Sequence, residues 1–523
     1  MGQRGLIVVA LMLAISLAAL DGTVVGTVMP TIIGQLGGLQ YFSWAFSVYL
    51  LASTVTVPLY GKLADLHGRK PVLLFGCGLF ILGSALCGVA GSMEQFIIFR
   101  AVQGLGAGAV LPVTITVVGD LFSIEERARI QGVFSGVWGV TSLAGPAVGA
   151  LVAGGLSWRW VFLVNLPLGA LTILLLWRCF HEVTRKQAHV LDYWGTVLLG
   201  GSVTALLVGL LQGVDRYGWL GAPTLSLFGL AALLLALFVV QERKVAEPVL
   251  PLWLFSNKVI AVSSLATFIV GGMMFGVASY VPLFAQGVLG GSAFDAGIIV
   301  LPMSFGWPLA TVFSGRMILR FGYYPAIVLG GVLLVAGSAG LLGLSSPDSS
   351  QVVGMAASLV VGMGMGFMMP ALVISVQNAV EWHNRGVVTA LSQFFRSIGG
   401  SISVAVMGAI LTSQVATRLG RIEGVPAGAD ADLLLNVDER ELLPPAVLEA
   451  MRQALASSLH EIFIVGLAGA AIALAVLLFF PKGRAEELVA VGQEGAPSGE
   501  ALAQQAPGMK AAGSRPTVAG RPG

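Results

Sequence analysis

The sequence predicts an all-α integral membrane protein of 14 spans: two six-helix bundles with two extra spans between them. Three observations lead there. The chain is 56% hydrophobic and only 10% charged, with a mean hydropathy of +0.90, a balance foreign to soluble globular domains. Its apolar runs recur at the length of about 20 residues that a helix needs to cross the hydrocarbon core, and a helix satisfies its own backbone hydrogen bonds there. The pattern of the first half also returns in the second. A membrane barrel would need short strands alternating polar and apolar residues, and that alternation is absent.

The spans lie near 6–28, 43–61, 72–89, 95–118, 130–153, 160–177, 193–211, 224–240, 260–284, 297–313, 325–344, 352–376, 387–411 and 462–480. The first run is long for a signal-peptide core and lacks a clear cleavage site, so it reads as a span rather than a cleaved leader. With the N-terminus placed in the cytoplasm, 20 of the 28 Lys and Arg residues fall on the inner side, six on the outer side, and Arg100 and Arg396 inside spans. This bias sets both termini in the cytoplasm, in the cell membrane. The expected division is a first bundle over 1–180 and two inserted spans with their loops over 181–257. The second bundle covers 258–481, with a long external loop at 412–459, and a disordered cytoplasmic tail covers 482–523.

The stretch GKLADLHGRKPVLL, 61–74, is the inner turn between spans two and three. Arg69 and Lys70 are explained by the charge bias alone. Asp65 within the basic cluster is not; it can pair with that cluster or cap the next helix. Gly61 and Gly68 allow a tight turn and close helix approach. The turn returns 254 residues later as SGRMILRFGYYP, with Gly315 and Gly322. Span four carries Gly104, Gly106, Gly108 and Pro112, and span twelve carries Gly362, Gly364, Gly366 and Pro370 at an offset of 258. Arg127 and Arg385 share that offset. Two matched stretches at nearly one offset indicate a duplicated bundle. Parallel repeats of this kind are a transporter architecture, with the site near the midplane between halves.

These stretches carry a resemblance. The chain resembles the major facilitator superfamily, and within it the 14-span drug:proton antiporter branch of EmrB/QacA type, over roughly 6–480. Gly61, Leu63, Ala64, Asp65, Gly68, Arg69 and Lys70 match the family's signature turn, with Leu66 where a basic residue is usual. The resemblance makes that turn a cytoplasmic gate. LDGTVVGTVMP, 20–30, is similar to the branch's first-span motif through Asp21, Thr23 and Pro30, with Gly26 replacing the usual Asn. RAVQGLGAG, 100–108, is similar to the fourth-span motif associated with proton transfer. Gly132, Gly145, Pro146 and Gly149 match the antiporter motif of span five, with Thr141 and Ala150 in place of Gly. The resemblance implies a major facilitator fold and proton-driven export of small lipophilic substrates. A periplasmic adaptor accompanies some relatives.

The residues can also be weighed on their own. Asp21 and Arg100 are the clearest ionisable groups inside spans, where charge costs roughly 2.5–3.5 kcal/mol and marks function by default. Both lie at similar depth in the outer part of the membrane, so Asp21 is the candidate proton site and Arg100 the group that tunes it. The alternative is a static ion pair, or two residues snorkelling outward. Gln103 lies one turn from Arg100 and can share its face. Asp120 and Arg127 flank the inner end of spans four and five, placed for a gating salt bridge. Arg396, near mid-depth in span thirteen, has no obvious acidic partner in sequence; it would face an anionic substrate group, the aqueous cavity or backbone carbonyls. Met363, Met365, Met368 and Met369 would line an adaptable cavity or pack against lipid and core.

Cys77, Cys87 and Cys179 are scattered and form neither a disulfide framework nor a metal site. No phosphate-binding GxxxxGK[ST] turn is present, so the energy source is expected to be an ion gradient and not ATP, and the resemblance makes it a proton gradient. The chain holds no nucleophile–His–acid motif, and neither a catalytic site, a bound cofactor nor a nucleic-acid partner is expected. The alternatives are a dedicated exporter or symporter of one metabolite or lipid, and a non-transporting membrane scaffold or sensor. The external loop, from 412 to 459, carries helical apolar spacing after Pro445, read as a surface helix, a lid or a docking site.

Overall fold

The computed structural model describes residues 3–121, 157–180, 192–245, 248–380, 385–422, 431–436, 440 and 442–482. All its regular elements are helical. The first half contains α1 (Gln3–Leu36), α2 (Phe42–His67), α3 (Arg69–Gly88), α4 (Met93–Leu121) and α5 (Arg159–Cys179, interrupted at Val164). The inserted hairpin is α6 (Tyr193–Val208, continued by a π-turn over Gly209–Gly213) and α7 (Ala222–Glu242). The second half contains α8 (Lys258–Leu283), α9 (Ala293–Phe321), α10 (Tyr323–Leu341), α11 (Gln351–Asn378), α12 (Arg385–Leu419) and α13 (Pro445–Leu478).

Among the described residues, 12 helices are long and apolar enough to cross a membrane, so the count of 14 spans is not reached there. The expected span at 130–153 lies outside the described residues. The expected span at 43–61 is present as the 26-residue helix α2. The expected tail also lies outside the described residues, apart from Lys482.

The external loop is shorter than the sequence indicates. α12 runs on to Leu419, and α13 begins at Pro445. The apolar stretch after Pro445 is the first turns of the last long helix, with Met451, Leu455 and Leu459 at 0–1% exposure. His460 and Glu461 look like a span boundary in sequence. In the structure Glu461 pairs with Arg418 of α12, which also donates to Ser458 Oγ (2.7 Å). The charge is matched inside a helix–helix contact, and the helix continues through it.

The duplication is visible at the level of backbone contacts. A Cβ on Gly104 would collide with Tyr49 O of α2, one on Gly108 with Ser53 O, and one on Gly106 with Phe80 N of α3. In the second half a Cβ on Gly362 would collide with Met303 O of α9, one on Gly366 with Trp307 O, and one on Gly364 with Leu334 N of α10. Gly76 against Gly106 O and Gly83 against Gln103 N are matched by Gly330 against Gly364 O and Gly337 against Val361 N. Positions on α2 and α3 map onto α9 and α10 at the first offset read from the sequence, and those on α4 onto α11 at the second. The turns agree as well: Gly68 (φ 102°) and Gly322 (φ 83°) each separate two helices with a backbone that L side chains rarely adopt.

The hairpin lies across the seam between halves. Leu199, Val203, Leu207 and Leu211 of this insertion cluster with Ile398 and Ala405 of α12 and with Trp44 and Leu51 of α2.

The paired contacts give a direct test. Overpacking a tight core costs about 1–3 kcal/mol. Gly106→Leu and Gly364→Leu are each expected to lower the melting temperature of the detergent-purified protein, while Gly78→Ala, which meets open space, leaves it unchanged. Equal melting of all three would remove the mirrored contacts as a source of stability.

Candidate functional site

The site forms where α1 and α4 cross. Arg100 and Gln103 share one face of α4 because they are three residues apart. Asp21 of α1 points at both. Arg100 Nη1 donates to Asp21 Oδ2 (2.6 Å) and to Gln103 Oε1 (2.7 Å), and Gln103 Nε2 donates to Asp21 Oδ1 (2.8 Å). Arg100 Nε donates to Ala45 O (3.3 Å), and its guanidinium lies 4.0 Å from the ring centre of Tyr49. Exposure is 2% for Asp21, 1% for Arg100 and 0% for Gln103. A carboxylate with both oxygens bonded and a cation with carboxylate, amide, carbonyl and ring partners make a neutral unit, which a buried pair requires. Gly83 lets α3 lie directly on the Gln103 backbone, which fixes the height of the amide.

The two halves are joined between mid-depth and the face opposite the Gly68 turn. Gln286, in the π-turn after α8, donates to Thr27 O (2.9 Å) and accepts from Thr31 Oγ1 (2.8 Å). Ser43 Oγ and Tyr280 OH share a hydrogen bond (2.9 Å), and Tyr280 OH donates to Val404 O (2.8 Å). Ser47 and Ser401 exchange hydroxyl-to-carbonyl bonds, each 3.0 Å. Asp432 accepts the N–H of Gly38 (2.5 Å) and of Leu39 (2.8 Å). Those N–H groups are presented because Gly37 and Gly38 both take positive φ. Every hydrogen bond between halves among the described residues belongs to this seal. At the turn face, by contrast, one apolar core is built from first-half residues alone, among them Leu11, Leu73, Val113 and Leu176.

The other residues singled out from sequence divide into three groups. Gly68 forms the turn, and Lys70 Nζ reaches Trp177 O (2.7 Å) at the C-terminal end of α5, where the helix dipole favours a cation. Arg69 is half-buried and Gly61 lies in α2 beside open space. The side chains of Thr23, Asp65 and Asp120, together with Arg127, Gly132, Gly145, Pro146 and Gly149, lie outside the described residues. Of the two places expected for Met365, the structure shows the core: it is 0% exposed and packs in the central cluster. Arg396 is half-buried, and Nη2 donates to the neutral Gln393 Oε1 (2.5 Å).

Sequence reasoning missed Tyr49, Tyr280, Gln286 and Asp432. Gly37–Gly38 was the available signal for the last, since paired glycines leave backbone donors open for a carboxylate.

The seal is expected to loosen when its carboxylate is removed. With Cys77, Cys87 and Cys179 replaced by Ser and with Ser401→Cys as reporter, Asp432→Ala should raise labelling by a membrane-impermeant maleimide several-fold. Unchanged labelling would show that Asp432 does not hold this face closed.

Comparison with known proteins agrees with this architecture. The chain is 35% identical to "Multidrug transporter protein MdtP" of Bacillus subtilis (strain 168), covering 91% of this chain and 93% of the relative. It is 32% identical to "Multidrug resistance protein 3" of the same organism, covering 91% and 95%. Among solved structures, a bacterial homolog of the human lysosomal transporter Spinster superposes with a TM-score of 0.66 at 18% identity, over 92% of this chain and 98% of the other. A D-xylose-proton symporter superposes with a TM-score of 0.61 at 15% identity, over 92% and 99%. These two likenesses show the shared fold. The family model of the Major Facilitator Superfamily matches residues 11–404, and the chain belongs to that superfamily.

Proposed function

We propose that the chain is a proton-coupled exporter of lipophilic small molecules, working by alternating access, with 14 spans and both termini in the cytoplasm. The observation that carries this reading is the buried Asp21–Arg100–Gln103 unit beside a seam whose described hydrogen bonds lie away from the Gly68 turn. The names of the multidrug relatives support the substrate class. A proton on Asp21 removes the charge that holds Arg100 and leaves the guanidinium to Gln103, Ala45 O and the Tyr49 ring. That change couples protonation to the α1–α4 contact. The turn face is the cytoplasmic side, with the Gly68 turn as part of the gate.

A second reading is a dedicated exporter of an acidic compound. Arg396 favours it, because its described partner is a neutral amide and its charge stays available to an anionic group.

Everted vesicles test both. Several lipophilic cations and neutral compounds should dissipate the proton gradient in the parent and fail to do so in Asp21→Asn. Breaking a buried ion pair costs about 3–5 kcal/mol, so the neutral double variant Asp21→Asn with Arg100→Gln is made alongside. It is expected to fold and to move no protons. Proton movement retained in that folded variant would refute Asp21 as the coupling site. Dissipation by lipophilic acids alone, lost in Arg396→Gln, would establish the second reading.

A further inference from the structure

Asp192 and Glu242 close the turn-face end of the α6–α7 hairpin, far along the chain from Asp21. Their exposures are 6% and 4%. Asp192 caps α6: Oδ1 accepts the N–H of Gly195 (2.9 Å) and Nε2–H of Gln241 (3.2 Å). Glu242 ends α7 and holds the chain leaving it, with Oε1 accepting from Val249 N–H (3.1 Å) and Oε2 from Leu250 N–H (2.8 Å). The two carboxyls meet over Gly195, where a Cβ would collide with Asp192 Oδ2 and lie 2.8 Å from Glu242 Oε1. Asp192 Oδ2 is buried and receives no hydrogen bond among the described residues.

No described cation balances them. On α7 and beyond, Arg243 and Lys244 are exposed. On α6, Tyr193 is exposed. On α2, which packs against α6, the groups toward this end are Lys62, Asp65 and His67; His67 is exposed, and the other two side chains lie outside the described residues. Two carboxylates that share a buried site without a cation cannot both ionise, and a buried acceptor without a donor costs about 1–3 kcal/mol. One proton between them relieves both costs.

We propose that Asp192 and Glu242 hold one proton as a carboxylic acid–carboxylate pair, a proton-binding site separate from Asp21. The proton supplies the donor that Asp192 Oδ2 lacks, and it belongs to the pair rather than to either residue. It ties α6 to the segment that leads into the second half, across the hairpin that bridges α2 and α12. The folded chain keeps a proton that an unfolded chain releases at neutral pH, so this contribution is present in acid and declines as pH rises.

Infrared difference spectroscopy of the purified full chain tests the assignment. A carbonyl band of a protonated carboxyl should persist at neutral pH in the parent. It should be lost in Asp192→Asn and, equally, in Glu242→Gln, because each variant hands the remaining carboxylate an amide donor. Loss in only one variant would mean a lone protonated acid, and loss in neither would mean no shared proton; either result overturns the proposal. If a single variant does not fold, the double variant, neutral at both positions, tests whether a proton is held there at all, and a band that survives in it overturns the proposal. In melting experiments the parent should lose stability from mildly acidic to mildly alkaline buffer, and the double variant should lose less. Equal slopes would count against the pair.

Discussion

Direct backbone contact at glycine is the constraint on which this bundle depends. Lipid is as apolar as the helix surfaces, so helices gain little from hydrophobic burial against each other and rely on close packing. Gly104, Gly106 and Gly108 on one helix, and Gly362, Gly364 and Gly366 on its counterpart, let four neighbouring helices approach until peptide groups touch. A contact made by backbone atoms does not depend on the side chains of the partner helix. Tyr49 and Met303, Ser53 and Trp307, and Phe80 and Leu334 offer the same atoms to matching glycines although their side chains differ completely.

That independence explains how the scaffold is duplicated while the chemistry is not. At the same offsets, Arg100 corresponds to Ser358, Gln103 to Val361, Ala45 to Ile299 and Tyr49 to Met303. The second half thus replaces a guanidinium, an amide and a phenol ring by a hydroxyl and two apolar groups. Ser358 is fully buried, and its Oγ finds no partner among the described residues. The charge network occupies one half, and the other half supplies Tyr280, Gln286, Ser401 and Asp432 to the seal. The described contacts of the Asp21–Arg100–Gln103 network therefore lie within one bundle, which suits motion of rigid halves about a seam.

The scaffold was legible in the sequence because its signals are periodic. Hydropathy located nearly every helix, and spaced glycines located the repeat and the contacts between α4 and its neighbours. The meeting of Asp21 with Arg100 was legible because both are charges inside spans at matching depth. The seal was not legible. Thr31, Ser43, Ser47 and Ser401 are small polar residues that occur throughout membrane helices, and each hydroxyl closes a hydrogen bond onto an amide, phenol or backbone group more than 200 positions away. The start of α13 was misplaced because a charge in sequence carries no mark of its partner; only the fold brings Arg418 to Glu461.

The composition of the seal bears on how the molecule can alternate. A neutral hydrogen bond contributes about 0.5–1.5 kcal/mol net, so a handful of hydroxyl and amide bonds closes the seam by a few kcal/mol. Moving a two-state equilibrium from 1:99 to 99:1 takes about 5.5 kcal/mol of differential binding. A substrate or a proton can supply a free energy of that size. A seal built of buried ion pairs would be harder to open, because each separated charge would have to be solvated within the membrane at a cost of several kcal/mol. Among the described residues the buried ion pair lies inside one half, where the Asp21–Arg100 contact need not break for the halves to part. The structure assigns the seam to groups that exchange readily with water. Among the described seam contacts Asp432 is the charged exception, and water can replace the two backbone N–H groups it accepts as the face opens.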